Sequence, residues 1–347
     1  MSAAPETQKP TTIAGEGKAS EQETTPLSKQ YDTPLGLAHT TMQELKDRIK
    51  LHYDLASDYY LNLWGEHIHH GYWPPSSPDI SKEEAQINLI RLLLETSQIS
   101  SPPSPPPSEP LKILDVGCGI GGTTRFLARE LAAHATGITI SSKQVQTAKK
   151  LSSPSSSSSS SSSSYSDGEY IPHGPGKVRF IELDAETLGS YFTHPDDKLD
   201  IVWISEALSH FPNKDLFFKN AFQVLKPGGK LVLADWFKNE GLSEEEFEAD
   251  IKPIEDGMLL PPMCTVNGYV TYAKEAGLEV VGGPRDISQE VKKTWDISWS
   301  LIQNPSLWAF AFSQGRDGIA FLQAFRAMRR GYANGSFRYA VMGFVKP

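Results

Sequence analysis

Three groups of residues in this chain have types and spacings that suit chemistry. The first is the run Asp115-Val116-Gly117-Cys118-Gly119-Ile120-Gly121-Gly122. An acid stands two residues before a set of closely spaced glycines. Glycines of this kind let the backbone turn sharply and let a ligand lie against it. Gly117, Gly119 and Gly122 satisfy the dinucleotide spacing G-x-G-x-x-G, and Gly117, Gly119 and Gly121 satisfy G-x-G-x-G. The second group is Ser205-Glu206-Ala207-Leu208-Ser209-His210-Phe211. His210 has an imidazole suited to taking a proton near neutral pH. Glu206, four residues earlier, would share a helical face with it and either orient it or meet a cofactor. The third is Glu66-His67-Ile68-His69-His70-Gly71-Tyr72-Trp73, rich in imidazole and aromatic rings.

The elements that must position these groups alternate along the chain. A short apolar strand is expected over 112–116, ending at the glycine loop, followed by a helix over 123–133. A second strand over 135–140 leads into a helix over 142–151. Strands follow over 177–183, 200–204 and 230–234. The helix over 214–225 lies before the last of these and is closed by Lys226-Pro227-Gly228-Gly229, a stop signal. Strands alternating with helices predict a mostly parallel, doubly wound α/β sheet, with ligands beyond the strand carboxyl ends where the chain order reverses. Two further strands, over 278–281 and 336–345, would complete seven. Before the core, Ser81 and Glu84 form a capping-box pattern ahead of Ile87, Ile90, Leu93 and Leu94 at helical spacing.

Two features of the loop favour one cofactor class. Asp115 would repel a pyrophosphate but suits a ligand carrying an ammonium and a sulfonium. A dinucleotide site also expects an acid about 20 residues on, and the second strand ends Thr136-Gly137-Ile138-Thr139-Ile140-Ser141 with none. S-adenosyl-L-methionine therefore fits better than a nicotinamide cofactor. The plainer alternative is a glycine turn that only packs a helix on a strand.

The segment ILDVGCGIGGTTRFLA resembles the first motif of class I S-adenosylmethionine-dependent methyltransferases. It is most similar to the γ-tocopherol methyltransferase branch, whose relatives are sterol methyltransferases and cyclopropane fatty acid synthases. His52-Tyr53-Asp54 through Trp73, Thr139-Ile140-Ser141 with Gln144, and Val224-Leu225-Lys226-Pro227-Gly228-Gly229 extend the resemblance. It implies a Rossmann-like fold with an N-terminal helical cap and a lid after strand five. It implies Asp115, Gly117, Cys118 and Gly119 around the methionine portion, and Thr139 and Gln144 at the ribose hydroxyls. Asp184 and Ala185 would meet the adenine, with a helix N-cap as the other role for Asp184. Ser205 would line the cofactor site, and His70 and Gly71 would close over it. Methyl transfer needs alignment and exclusion of water. A base is required only if the acceptor atom carries a proton. Glu206 and His210 are the catalytic candidates; a structural His210-Phe211 pair is the alternative.

Composition bounds the rest. The 347 residues are 39% hydrophobic and 22% charged, enough to bury a core. Two cysteines, Cys118 and Cys264, exclude a disulfide framework. His67, His69 and His70 lack a nearby Cys or acid pair, Glu66 apart, so no metal is expected. The net charge of −9 argues against nucleic acid as a partner. No apolar run reaches the length of a membrane span. The first residues resemble neither a secretory signal nor a transit peptide, so the cytoplasm is expected.

The domain expectation is a disordered tail over 1–35, a helical cap over 36–100 and a cofactor-binding core over 111–236. The core carries a Ser-rich disordered insertion over 152–176, and a lid with the last strands occupies 237–347. A polyproline-like connector is expected over 101–110. Met258-Leu259-Leu260, Met263, Trp295, Trp299 and Trp308 make the lid apolar and aromatic, which suits a small hydrophobic metabolite, and a place in secondary metabolism is expected. Carbon and nitrogen acceptors are favoured over oxygen. The rival readings are a cyclopropane-synthase-like lipid enzyme, which would want a basic membrane-facing surface, and a cofactor-binding protein without turnover.

Overall fold

The structure, a computed structural model, describes residues 42–103, 107–153, 168–302 and 316–347. The tail, the serine run over 155–164 and Trp308 lie outside them.

Strands β1 (Lys112–Val116), β2 (His134–Thr139), β4 (Gly176–Glu182), β5 (Leu199–Ser205) and β6 (Leu225–Lys238) run parallel. Strand β3 (Ile171–His173) pairs antiparallel with β4 at one edge. At the other, β8 (Phe337–Val345) lies antiparallel between β6 and β7 (Glu279–Asp286). The order is β3-β4-β2-β1-β5-β6-β8-β7. The chain order reverses between β1 and β5, which opens a crevice at their carboxyl ends.

The sheet thus has eight strands rather than the expected seven. The extra one is β3, inside the segment expected to be disordered over 152–176. Its sequence explains it. Tyr170 and Ile171 are apolar, and Gly174, at φ +60°, turns the chain back into β4. The Arg179 guanidinium lies 4.6 Å from the Tyr170 ring centroid. A second difference concerns β6, which starts at Leu225 and so includes the Lys226-Pro227-Gly228-Gly229 stop. A register shift between Leu199 and Ile201 accommodates the glycines.

Because successive strand residues face opposite ways, Ile113 and Leu114 enter different cores. On one face Ile113, Trp203 and Val232 pack with Leu89, Leu93 and Leu94 of α2 (Lys82–Thr96) and Phe126 and Leu127 of α3 (Gly122–Glu130). On the other, Leu114, Val202 and Leu233 pack with Phe217 and Phe218 of α5 (Lys214–Val224) and Tyr269 of α7 (Val266–Glu275). Ser81 Oγ accepts from the Glu84 amide, so the N-cap of α2 forms as its sequence predicts.

Three further helices matter to the site. Helix α1 (Met42–Trp64) precedes the core, α4 (Ser142–Ser152) follows β2, and α6 (Lys252–Gly257) follows β6. Helices α8 (Lys293–Ile302) and α9 (Arg316–Asn334) come between β7 and β8. The acidic stretch over 240–256 buries Ile251 and Ile254 together with two of its acids, Asp250 and Glu255, and exposes Glu240, Glu244, Glu245, Glu246 and Glu248. No helix among the described residues is long and apolar enough to cross a membrane.

Candidate active site

The crevice holds a cavity of about 890 Å³, part of it open to solvent. Its floor is the set of strand ends: Gly117 and Gly119 after β1, Thr139 of β2, Asp184 and Ala185 after β4, and Ser205 of β5. Gly117 has φ +70°, and a Cβ there would lie 2.3 Å from the Ala207 Cβ. Gly119 has φ +54° and open space before it, with Ile68 Cδ1 its nearest neighbour at 3.8 Å. The loop therefore bares its backbone to the cavity. Arg125, almost wholly buried, fastens the loop from behind by donating to the Ile120 carbonyl at 2.8 Å. Sequence reasoning missed this residue, since nothing in its spacing separates it from an exposed helical arginine.

Of the expected site residues, Gly117, Gly119, Thr139, Gln144, Asp184, Ala185, Ser205, Glu206 and His210 come together at this cavity. Thr139 donates to Gln144 Oε1 at 2.7 Å, which sets the two as a pair. Ser205 Oγ is buried with no hydrogen-bond partner among the described residues, a polar group left for a ligand. Asp184 does two things at once. Oδ1 accepts from the Glu186 amide at 2.9 Å, the N-cap role, and Oδ2 accepts from Lys46 at 2.8 Å.

Asp115, Cys118, His70 and Gly71 do not form the cavity wall. Asp115 turns behind the loop, where Oδ2 accepts from Thr124 at 2.6 Å. Burial pushes its carboxyl up to about 7, against the opposing Thr124 bonds. Cys118 is buried, and burial raises its thiol. The Gly71 amide donates to Thr294 at 3.1 Å.

His70 lines a second, aromatic chamber of about 620 Å³ beside the first, with Trp64, Trp236, Trp295 and Phe325. Tyr53, Ile68 and Glu206 border both. The expected partnership of Glu206 with His210 is not formed. Glu206 takes φ +57° at the end of β5, and His210 sits on a separate short turn, so no common helical face exists. Glu206 Oε2 instead accepts from His70 Nδ1 at 2.9 Å, and Oε1 accepts from the His70 amide and the Tyr339 hydroxyl, each at 2.7 Å. Burial would raise this carboxyl, but the His70 ring and amide and the nearby His69 hold it below its ordinary value. His210 Nε2 lies 3.3 Å from the Tyr53 hydroxyl, on α1. Burial and the Glu206 charge raise the Tyr53 phenol, which keeps its proton.

Helix α1 closes the cavity from above with one face. Lys46, Lys50, Tyr53 and Asp54 recur at the spacing of a helical stripe. Lys46 binds Asp184 and Glu186, Lys50 binds Glu182, and Asp54 accepts from Ser141 at 2.5 Å.

The methyltransferase domain model matches residues 114–233. A probable tocopherol O-methyltransferase of rice (Oryza sativa subsp. japonica), described as chloroplastic, is 30% identical over 311 residues, spanning 87% of this chain and 79% of the relative. The chain belongs to the class I S-adenosylmethionine-dependent methyltransferases, in the tocopherol methyltransferase branch. The 2-methyl-6-phytyl-1,4-hydroquinone methyltransferase of Synechocystis is 30% identical over 260 residues, 72% of this chain and 70% of that one. Among solved structures, the cyclopropane synthase MmaA2 of Mycobacterium tuberculosis shares the fold at a TM-score of 0.66 and 18% identity. That match covers 87% of this chain and 98% of the other.

This methyltransferase uses S-adenosylmethionine as its methyl donor, and the residues fit that group. A bared glycine backbone, an orphaned Ser205 hydroxyl and a polar Thr139–Gln144 pair are what an aminoacyl nucleoside requires.

Proposed function

We propose that this enzyme methylates a small hydrophobic acceptor bearing a hydroxyl on an aromatic ring, a product of secondary metabolism. The observation that carries this reading is the Tyr53–His210 pair. It stands where the cofactor cavity meets the aromatic chamber. The names of the rice and Synechocystis relatives, a tocopherol and a hydroquinone enzyme, support the acceptor class.

Bound S-adenosylmethionine supplies an electrophilic methyl on a sulfonium sulfur. The chain does the rest. In this reading Gly117 and Gly119 seat the methionine portion, Thr139 and Gln144 meet the ribose hydroxyls, and Asp184 and Ala185 border the adenine. Asp115 acts through the loop, as the carboxyl that Thr124 holds behind it. The acceptor ring lies against Trp236 and Trp295, which exclude water. Its hydroxyl proton passes to the Tyr53 oxygen as the Tyr53 proton passes to His210 Nε2. An aromatic acceptor of this kind can receive the methyl on the oxygen or on a ring carbon made electron-rich by it; of the carbon and nitrogen acceptors that the sequence favours, carbon is kept in this proposal.

In the same reading 36–100 is the cap and 237–347 is the lid with the last strands. The cytoplasm is kept as the proposed compartment on composition alone; the rice relative carries another description.

The test is incubation with methyl-labelled S-adenosylmethionine and a panel of hydrophobic phenols and hydroquinones, read by mass spectrometry. Label in a phenolic product made by the wild type and not by Gly119→Asp supports the proposal. Label appearing only in amines or in acyl chains from a lipid extract overturns it.

A further inference from the structure

Glu206 is bonded too completely to serve as the base itself. Both oxygens are committed, to the His70 ring, the His70 amide and the Tyr339 hydroxyl. Its backbone is fixed as well, since its amide donates to the Ala234 carbonyl at 2.8 Å. A carboxylate held in this way at a non-glycine residue of positive φ is an orienting device, kept at a cost in backbone strain. What it orients is His70. Nδ1 must carry a proton to donate to the carboxylate, which leaves Nε2 as the nitrogen with a lone pair.

The surroundings of that nitrogen are unusual for a histidine with only a packing role. The side chain is 3% exposed. Trp295, Trp236 and Tyr339 pack about it with centroids 5.2, 6.0 and 4.8 Å away. The Tyr332 hydroxyl lies 3.5 Å from Nε2, the loose limit of a hydrogen bond. The titratable groups facing the ring are therefore Glu206 from β5, Tyr332 from α9, Tyr339 from β8 and the neighbouring His69. Trp236 also stands 6.3 Å from the His210 ring, so two imidazoles flank one indole in the acceptor chamber.

We propose that His70, oriented by Glu206, is a second proton-accepting residue of the site, which ionises an acceptor hydroxyl that is not the one served by Tyr53 and His210. The O–H bond of that hydroxyl breaks, the proton bonds to His70 Nε2, and the electron pair stays on oxygen and feeds the ring. The imidazolium is balanced by Glu206. The proton returns to the oxygen when the product leaves. This step rests on the phenolic-acceptor reading above.

The test uses 4-nitrophenol as the probe, with the full chain saturated with S-adenosylhomocysteine, at a pH where the free phenol is mostly neutral. Binding is followed by calorimetry and ionisation by the phenolate absorption band. His70→Asn is the informative variant, because its amide nitrogen can still donate to Glu206 while Nε2 is gone. The expected result is bound phenolate in the wild type, reduced by about tenfold in His70→Asn and little changed in Gly228→Ala, a substitution outside the site. S-adenosylhomocysteine affinity should stay within about twofold, as for an intact fold. If His70→Asn does not fold, Glu206→Gln, which removes the balancing charge, must lower the phenolate signal in the same way. Phenolate that survives both variants, or is lost only in His210→Gln, overturns the assignment of His70 and leaves the phenolic reading intact. Failure of the probe to bind at all overturns both.

Discussion

Lys46 reaches from the first helix to Asp184 at the far side of the cofactor cavity, with Nζ 2.8 Å from Oδ2. The same ammonium binds Glu186, and Lys50, one turn on, binds Glu182. Burial opposes the Lys46 charge, but Asp184 and Glu186 more than restore it. These contacts strap α1 across the crevice. Lys46→Met removes both ion pairs of this ammonium, each worth at most about 1 kcal/mol at a partly exposed site. Lys46→Met is thus expected to release S-adenosylhomocysteine a few-fold faster in stopped-flow measurements, and added salt should lessen the difference. An unchanged release rate would mean that the strap does not hold the cofactor.

The glycine loop makes a sharper prediction. At Gly117 the backbone is left-handed and a Cβ would meet Ala207 at 2.3 Å. Left-handed strain alone costs roughly 1–2 kcal/mol. Gly117→Ala is expected to weaken S-adenosylhomocysteine binding by at least about tenfold in calorimetry. Gly228 also has positive φ but no atom within 4 Å of a Cβ. Gly228→Ala should lower the melting temperature and leave cofactor affinity alone.

Asp115 gives a pH dependence with a definite sign. Burial raises its carboxyl to about 7. The native state therefore holds a proton that the unfolded chain loses near its ordinary value of about 3.9. Stability contributed by this group falls as pH rises from about 4 to about 7 and is level above that. Asp115→Asn should remove this trend, so that the variant gains on the wild type through that window in apo-protein thermal melts. Parallel curves would show the carboxyl to be ionised in the fold.

The Tyr53 hydroxyl faces His210 Nε2 at 3.3 Å. Tyr53→Phe keeps the ring and removes the relay. Turnover of a phenolic acceptor is expected to fall by about 10²-fold, the lower end for lost acid–base catalysis. Cofactor affinity should hold. A Tyr53→Phe enzyme with full turnover would remove Tyr53 and His210 from proton transfer.

The common core was legible because its signals are local. Buried strands such as 112–116 are short apolar runs, and the glycines that follow Val116 break the pattern at the strand end where a ligand must lie. The Ser81 cap is also short-range. The partners of Glu206 were not legible, because the i, i+4 rule assumes a helix. Positive φ at Glu206 abolishes one there and sends the carboxylate to His70, 136 positions earlier. The clamp from Lys46 to Asp184 spans 138 positions and carries no motif. Strand β3 was hidden by its serine-rich neighbourhood, and Arg125 by its ordinary helical setting.

The central claim is that this site moves a methyl group from S-adenosylmethionine to a hydrophobic hydroxyl-bearing ring. The most direct measurement is transfer of label from methyl-labelled S-adenosylmethionine to hydrophobic phenols and hydroquinones, with Gly119→Asp and Tyr53→Phe alongside the wild type. The expected result is a labelled phenolic product from the wild type, none from Gly119→Asp and far less from Tyr53→Phe. Tight S-adenosylmethionine binding with no label in any phenol or hydroquinone would contradict it.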